Sequence, residues 1–252
     1  MKVFNSLKEF IKYRDSISPE VSIGFVPTMG ALHIGHVSLM KKSAEENDLS
    51  VLSIFVNPTQ FNNPEDLKKY PRTLEADLKI AEEADIQFVI LPSYQEIYPD
   101  DYRYQLIEND FSKKLCGAHR EGHFNGVLTV VIKLLQIVAP QNAYFGKKDF
   151  QQFKLIEDMA QAFFLRTQII GCETIREDDG LAMSSRNVRL TRLGRETAPL
   201  IYKALTTIKN LDEAREFLTT NKIEVEYLEE HFNRRFIAAF IDGVRLIDNV
   251  EC

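Results

Sequence analysis

Val21-Ser22-Ile23-Gly24-Phe25-Val26 runs directly into Pro27-Thr28-Met29-Gly30-Ala31-Leu32-His33-Ile34-Gly35-His36, and Val37 to Asn47 follows with helical patterning. The first, nearly continuous apolar run has the composition of a strand buried on both faces. A strand, a Gly-containing turn and a helix start, in that order, offer backbone N–H groups where the helix dipole favours an anion. Two histidines at i and i+3 project near the same helix end, and an imidazole, neutral or cationic, donates a hydrogen bond to a phosphoryl oxygen. The stretch therefore predicts a phosphate site beyond the carboxyl end of a strand.

Outward from this point the chain alternates. Ser6-Leu7-Lys8-Glu9 has the form of a capping box and predicts an opening helix to about Arg14. Further strands are expected at Val51–Val56, Ile86–Leu91, Ala143–Phe145 and Thr167–Cys172, with helices at Leu74–Ala84, Asn125–Ile137 and Phe150–Phe163. Short apolar strands separated by helices imply an α/β fold, a Rossmann-like doubly wound parallel sheet. Ligands in that architecture sit beyond the carboxyl ends of the strands. Tyr94 to Arg120 reads as less regular. After about Ile175 the character changes: a polar stretch to Arg195, helices at about 195–209 and 212–221, then strands near 224–227, 235–241 and 244–247. Asp242-Gly243 is a type I′ hairpin signal. The expected organisation is a domain over residues 1–175 and a smaller C-terminal α+β domain over 176–252.

With 31 Lys and Arg against 37 Asp and Glu, the net charge is −6. That argues against a broad nucleic-acid face, but not against a local phosphate pocket. The longest apolar tract, Val127 to Pro140, contains Lys133 and Gln136 and is shorter than the roughly 20 residues that span a bilayer. No membrane segment and no secretory leader is expected. Cys116, Cys172 and Cys252 are odd in number and far apart, so a disulfide framework or cysteine zinc site is not expected and a reducing cytoplasm fits.

Three other stretches carry chemistry. Asn57-Pro58-Thr59-Gln60-Phe61 follows the second strand, and the amides of Asn57 and Gln60 suit a small molecule bearing hydroxyl and carboxylate groups. Gly146-Lys147-Lys148-Asp149-Phe150-Gln151-Gln152 lies where a strand becomes a helix. Gly146 permits close approach, Lys148 brings a mobile cation to phosphate, Asp149 can cap the helix, and Gln152 shares its face. Met183-Ser184-Ser185-Arg186 pairs two hydroxyls with a guanidinium that can hold two phosphate oxygens, in a polar segment able to close over a bound nucleotide.

His33-Ile34-Gly35-His36 with Met183-Ser184-Ser185-Arg186 resembles the paired signatures of class I adenylate-forming sites in the nucleotidyltransferase superfamily. The fuller set is Pro27 to His36, Asn57 to Phe61, Tyr70-Pro71-Arg72-Thr73, Gly126 to Val131, Lys148 to Gln152, Asp179 to Asn187 and Arg245-Leu246-Ile247-Asp248-Asn249. In that order it resembles the pantoate–β-alanine ligase (pantothenate synthetase) family over nearly the whole chain. The resemblance implies ATP-dependent joining of pantoate and β-alanine through pantoyl adenylate, with release of pyrophosphate and AMP. It implies that Met29, Gly30, Ala31, Leu32, His33, Ile34, Gly35 and His36 hold ATP, together with Gly146, Lys147, Lys148, Asp149, the backbone near Ile175, Met183, Ser184, Ser185 and Arg186. His36, its partner His33, Lys148, Ser184, Ser185 and Arg186 are the expected catalytic groups. Gln60 and Gln152, with Asn57, are expected to hold pantoate. Mg²⁺ should arrive with ATP. No ligand set for it follows from the sequence, and Asp77 and Asp149 are the carboxylates considered. A cytoplasmic homodimer is implied.

The chain departs from the family pattern at Asn125, where an Arg is common, at Lys147, where a Glu is common, and in a shortened C-terminal part. His119 and His123 have metal-like spacing without an evident third ligand and are read as a mobile loop. His231 is read as exposed. Rival functions are another adenylyltransferase of the superfamily, a tRNA-binding relic of a synthetase, and a nucleotide sensor without turnover.

Overall fold

Phe25, Val26, Leu52, Val89, Ala143 and Tyr144 are wholly buried, as strands covered on both faces require. In the computed structural model, which describes residues 1–252, they lie on parallel strands. In chain order the first part holds β1 (Lys2–Phe4), α1 (Leu7–Arg14), β2 (Ile23–Thr28), α2 (Ile34–Glu46), β3 (Leu49–Ile54), α3 (Pro64–Lys69), α4 (Leu74–Glu83), β4 (Phe88–Ile90), α5 (Tyr94–Ile97), α6 (Cys116–His119), α7 (His123–Val138), β5 (Asn142–Gly146), α8 (Phe150–Ala162) and β6 (Gln168–Cys172). The sheet order is β1-β4-β3-β2-β5-β6, and every pairing is parallel. This is the expected doubly wound sheet. From β2 the chain builds outward through β3 and β4, with β1 at the edge; from β5 it builds the other way. The order therefore reverses between β2 and β5, the place where open α/β sheets bind ligands. The loop after β2 and the end of β5 at Gly146 flank it.

Several expectations on individual elements change. Three-residue β1 pairs with β4, Val3 opposite Val89, a strand too short to show as periodicity. His123 is not in a mobile loop. It opens α7 and is buried, as is Phe124 beside it. The tract expected as a buried helix, 127–140, lies in α7 up to Val138, where Val127, Leu128, Val130, Val131, Leu134, Leu135 and Val138 are buried while Gln136 is exposed.

Residues 1–146 and 151–172 form one compact unit; residues 147–150 and 173–252 form a second. The sequence reading put the boundary at 175, whereas the units divide after Cys172 and Lys147–Phe150 group with the second. The second unit holds α9 (Arg192–Thr197), α10 (Pro199–Thr207), α11 (Leu211–Thr220), β7 (Glu224–His231), β8 (Arg234–Ile241) and β9 (Val244–Glu251). The single helix expected near 195–209 breaks at Pro199, the first residue of α10, because Pro supplies no N–H and fits a first helical position. β7, β8 and β9 form an antiparallel sheet. Asp242 and Gly243 both take positive φ, as a type I′ turn needs, and so do Phe232 and Asn233 between β7 and β8, a turn that the sequence does not announce. Leu181, Ile201, Leu205, Leu218, Ile237 and Leu246 lie in the core of this unit.

Candidate active site

At the end of β2 the backbone turns sharply. Gly30 has φ +79° and Ala31 φ +50°. A Cβ at Gly30 would also lie 2.9 Å from Asp77 Oδ2, so glycine is required on conformational and steric grounds. Asp77 is the anchor of this loop. Its buried carboxylate accepts from Ala31 N at 3.0 Å, Leu32 N at 2.8 Å and the Thr73 hydroxyl at 3.2 Å. It was considered as a Mg²⁺ ligand; here both oxygens are spent on the turn. Leu32 sends its side chain into the core, so only its backbone belongs to the loop surface.

α2 then begins with a reciprocal cap made by the two histidines. Gly35 N donates to His33 Nδ1 at 3.2 Å, and His33 N donates to His36 Nδ1 at 3.3 Å. An imidazole nitrogen that accepts a backbone N–H carries no proton. In both neutral rings the proton therefore sits on Nε2, and each ring is a donor through that atom. The ring centroids are 4.1 Å apart, so the two Nε2–H groups serve one small region at a helix N-terminus. In both histidines Nδ1 builds the helix start and Nε2 carries the proton.

The turn after β3 is held by its own amides. Asn57 Nδ2 donates to Gln60 Oε1 at 3.0 Å and to Gly126 O at 3.2 Å. Its Oδ1 accepts from the Tyr98 hydroxyl at 2.8 Å and the Thr59 hydroxyl at 3.0 Å. Asn57, 1% exposed, is thus saturated by protein. The role expected for it, contact with substrate, is replaced by orienting Gln60. Burial pushes the Tyr98 hydroxyl up to about 12, which keeps it protonated and donating. Gln60 Nε2 reaches Met29 Sδ at 3.2 Å, so this turn and the histidine loop meet. The backbone of Gln60 is clamped too: its carbonyl accepts from Arg120 at 3.2 Å and from His123 Nδ1 at 2.8 Å. Arg120 can only donate, and its NH1 lies 3.0 Å from His123 Nε2. That assigns the His123 proton to Nδ1. Gly126 lets α7 touch the turn: a Cβ there would lie 2.5 Å from Thr59 O and 2.7 Å from Gln60 N.

Of the two glutamines beginning α8, Gln151 is buried and holds Cys116 N, Phe111 O and Lys114 O. Gln152 is half-buried on the same helix.

In the second unit, Lys148 Nζ lies 3.6 Å from Asp149 Oδ2 with its side chain 17% exposed. Lys147 pairs with Glu173 at 2.5 Å. The polar stretch after Ile175 contains a hydrogen-bonded hairpin: Met183 N donates to Ile175 O at 2.9 Å, Glu177 N to Leu181 O at 2.8 Å, and Arg176 bridges Ala182. Beyond it, Asn187 Nδ2 grips Glu177 at 3.0 Å and Ala182 O at 3.1 Å. Arg186 N donates to the Ser184 hydroxyl at 3.2 Å, and Asn187 N to Ser184 O at 3.0 Å. Met183 to Arg186 is therefore a turn on a braced base.

No group of three or more His, Cys, Asp or Glu side chains comes together as a metal cage, and no helix is long and apolar enough to cross a membrane. Tyr98, Arg120 and His123 were not assigned to the site from sequence, Asp77 was considered only as a Mg²⁺ ligand, and Gly126 entered only as part of the family pattern. Gly126 did leave a signal, because a glycine inside an apolar helix marks close backbone approach. The hold of Asp77 on Ala31 and Leu32, and that of Tyr98 on Asn57, left none, since those partners are distant in the chain.

A doubly wound parallel sheet with the His33-Ile34-Gly35-His36 helix start beside its switch point defines an α/β protein with a Rossmann-like sheet. The family model for pantoate-beta-alanine ligase matches residues 2–251, and the chain belongs to that family. It is similar to the pantothenate synthetases of Bdellovibrio bacteriovorus, 52% identical over 250 residues, and Legionella pneumophila strain Lens, 51% over 249; each match covers 99% of both chains. A crystal structure of pantoate-beta-alanine ligase from Francisella tularensis, complexed with beta-gamma ATP and beta-alanine, is 44% identical with a TM-score of 0.95, covering 100% of this chain and 97% of that one.

Proposed function

We propose that this chain joins pantoate to β-alanine at the expense of ATP, through a pantoyl-adenylate intermediate. The observation that carries the reading is the reciprocal His33–His36 cap, which presents two Nε2–H donors at the switch point with Gln60 tied beside it through Met29. Membership of the ligase family, and the ATP and β-alanine held by the Francisella relative, support the same substrates.

In the first step a pantoate carboxylate oxygen attacks the α-phosphorus of ATP. A P–O bond forms, the bond to the β-phosphate oxygen breaks, and pyrophosphate leaves. The carboxylate is already ionised at neutral pH and needs no general base. It needs alignment and neutralised phosphate charge. His36 and His33 donate to phosphoryl oxygens, and Lys148, Ser184, Ser185 and Arg186 bind the phosphates. The backbone of Met29 to Gly35, Gly146 to Asp149, Ile175 and Met183 completes the nucleotide contacts. Gln60 and Gln152 hold pantoate, and Asn57 orients Gln60. In the second step the β-alanine amine attacks the acyl carbon; a C–N bond forms, the acyl–phosphate bond breaks, AMP leaves and a proton is released. Asp77 is committed to its loop, so any Mg²⁺ would arrive with ATP, and Asp149 is the remaining carboxylate considered as a ligand. Such an ion would keep several of its waters and would offset triphosphate charge. The same reading places the protein in the cytoplasm as a homodimer, which light scattering would test.

The test is pantoate-dependent exchange of labelled pyrophosphate into ATP, with Mg²⁺ and without β-alanine. Exchange is expected, and added β-alanine should then yield AMP and pantothenate. Folded, ATP-binding protein that gives neither exchange nor pantothenate would overturn the ligase reading.

Gly126→Ala provides a narrower check on the pantoate side. Its methyl group meets the Thr59 and Gln60 backbone, which cannot move aside cheaply. Overpacking of this kind costs about 1–3 kcal/mol. If it goes into displacing Gln60, that corresponds to a KM for pantoate raised about five- to 150-fold, with the KM for ATP nearly unchanged. Steady-state kinetics with each substrate varied would decide it, and equal changes in both constants would contradict the role given to Gln60.

A further inference from the structure

We propose that Asn249, on the last strand, is a positioning residue that aims Lys148 at the nucleotide; the inference rests on the role of Lys148 as a phosphate contact. Asn249 Nδ2 donates to Lys147 O at 2.9 Å and to Lys148 O at 2.8 Å. These two carbonyls belong to the peptide planes on either side of the Lys148 Cα. Holding both planes fixes the φ and ψ of Lys148, and with them the direction of its Cα–Cβ bond. A lysine stem has many rotamers, and its ammonium reaches a defined place only if the base of the stem does not move.

The amide of Asn249 is itself set. Its Oδ1 accepts from Arg234 NH1 at 2.6 Å, so the NH₂ group must face the two carbonyls; reversed, an amide oxygen would oppose both. Asn249 is 3% exposed and Arg234 6%, and neither competes with bulk water. Arg234 lies over the Phe150 ring with its guanidinium carbon 4.5 Å from the centroid, and its second amino group pairs with Glu251 at 2.5 Å. Phe150 follows Asp149 directly and packs on Phe236 of β8. The segment is thus held at the Lys147 and Lys148 carbonyls and again at Phe150. Nothing in the apolar alternation of β9 requires an amide at 249, and its donors reach only this turn.

A double-mutant cycle tests the proposal. ATP binding is measured by calorimetry, and pantoate-dependent pyrophosphate exchange by rate, for the parent, Asn249→Ala, Lys148→Ala and the double variant. Asn249→Ala is expected to weaken ATP binding or slow exchange about tenfold. In the Lys148→Ala background it should add no more than about twofold, because a residue that acts through Lys148 has nothing left to position. A merely structural role would multiply through both backgrounds. A single variant within twofold of the parent in both assays, or a double variant at the product of the two single effects, would overturn the proposal. If Asn249→Ala does not fold, Asn249→Ser, which keeps one donor, takes its place under the same criteria. ATP binding needs no pantoate. A parent that binds ATP but gives neither exchange nor, with β-alanine added, pantothenate would sink the ligase reading while the binding cycle still scores Asn249. A parent that does not bind ATP overturns both.

Discussion

His36→Ala is expected to reduce pantoate-dependent pyrophosphate exchange by at least about a hundredfold while leaving the protein folded. Loss of one well-placed donor to developing phosphate charge costs on the order of a hundred- to a thousandfold in rate. But His36 has a second duty, because its Nδ1 accepts the His33 backbone N–H and closes the cap of α2. Losing such a cap costs about 1 kcal/mol, and a loosened helix start would also disturb the nucleotide. Two further substitutions separate these effects. An asparagine places an acceptor oxygen near the position of Nδ1 but offers nothing near Nε2. A glutamine reaches the region of Nε2 with a donor. His36→Asn should therefore recover the melting temperature and not the rate, and His36→Gln should recover part of the rate. Thermal unfolding followed by circular dichroism, alongside the exchange assay, measures both. If His36→Asn restored exchange, the histidine would be a helix cap and the phosphate contact would have to come from elsewhere.

The parts of the candidate site differ in how legible they are in the chain. The histidine pair reads directly, because its spacing, the preceding strand and the following helix are local in sequence. β2 and β3 read equally well, since strands buried on both faces leave nearly unbroken apolar runs. What holds the site in place is not local. Asp77 supports Ala31 and Leu32 from α4; Tyr98 orients Asn57 from beyond β4; His123 and Arg120 grip the Gln60 carbonyl from the start of α7. Each is an ordinary polar residue in its own stretch, and only the sheet order brings it to its partner. Asn57 was assigned to substrate for the same reason: an exposed amide and an amide saturated by its neighbours look alike in sequence. His119 and His123 suggested a loop because the glycines beside them, Gly117 and Gly122, are turn formers. Gly122 does take φ +74°, but it does so to launch α7, and His123 is buried by the helix it begins. The turn at Phe232-Asn233 was missed because a bulky residue at positive φ is uncommon. It is supported by the ladders of β7 and β8 rather than by its own preference.

Arg176→Ala is expected to be the most destabilising single change in the second unit. Arg176 donates to Asp248 Oδ2 at 2.6 Å and Oδ1 at 2.9 Å, and to Gly180 O at 3.0 Å. Its guanidinium lies 3.9 Å from the centroid of the Tyr202 ring. The Asp248 side chain is 4% exposed, so alanine would leave a buried carboxylate with its backbone donor, Asn249 N at 2.8 Å, and no cation. Breaking a buried pair from one side costs about 3–5 kcal/mol. Arg176→Lys should recover little, because an ammonium cannot serve both oxygens and stack on the ring at once. The loss is expected to reach function as well. Arg176 is in the hairpin whose Ile175–Met183 bond carries the Met183 to Arg186 turn, so ATP affinity should fall in the folded fraction. Urea unfolding followed by circular dichroism measures the first effect and calorimetry the second. A paired change, Arg176→Met with Asp248→Leu, distinguishes stability from precision. Removing both charges of a buried pair is often neutral, so the unfolding midpoint should return toward that of the parent. The carboxylate that receives the Asn249 backbone N–H would still be missing, and ATP affinity should remain low. Full recovery of both would mean that the pair only fills space. Recovery of stability alone would mean that the charge is kept for the loop it holds.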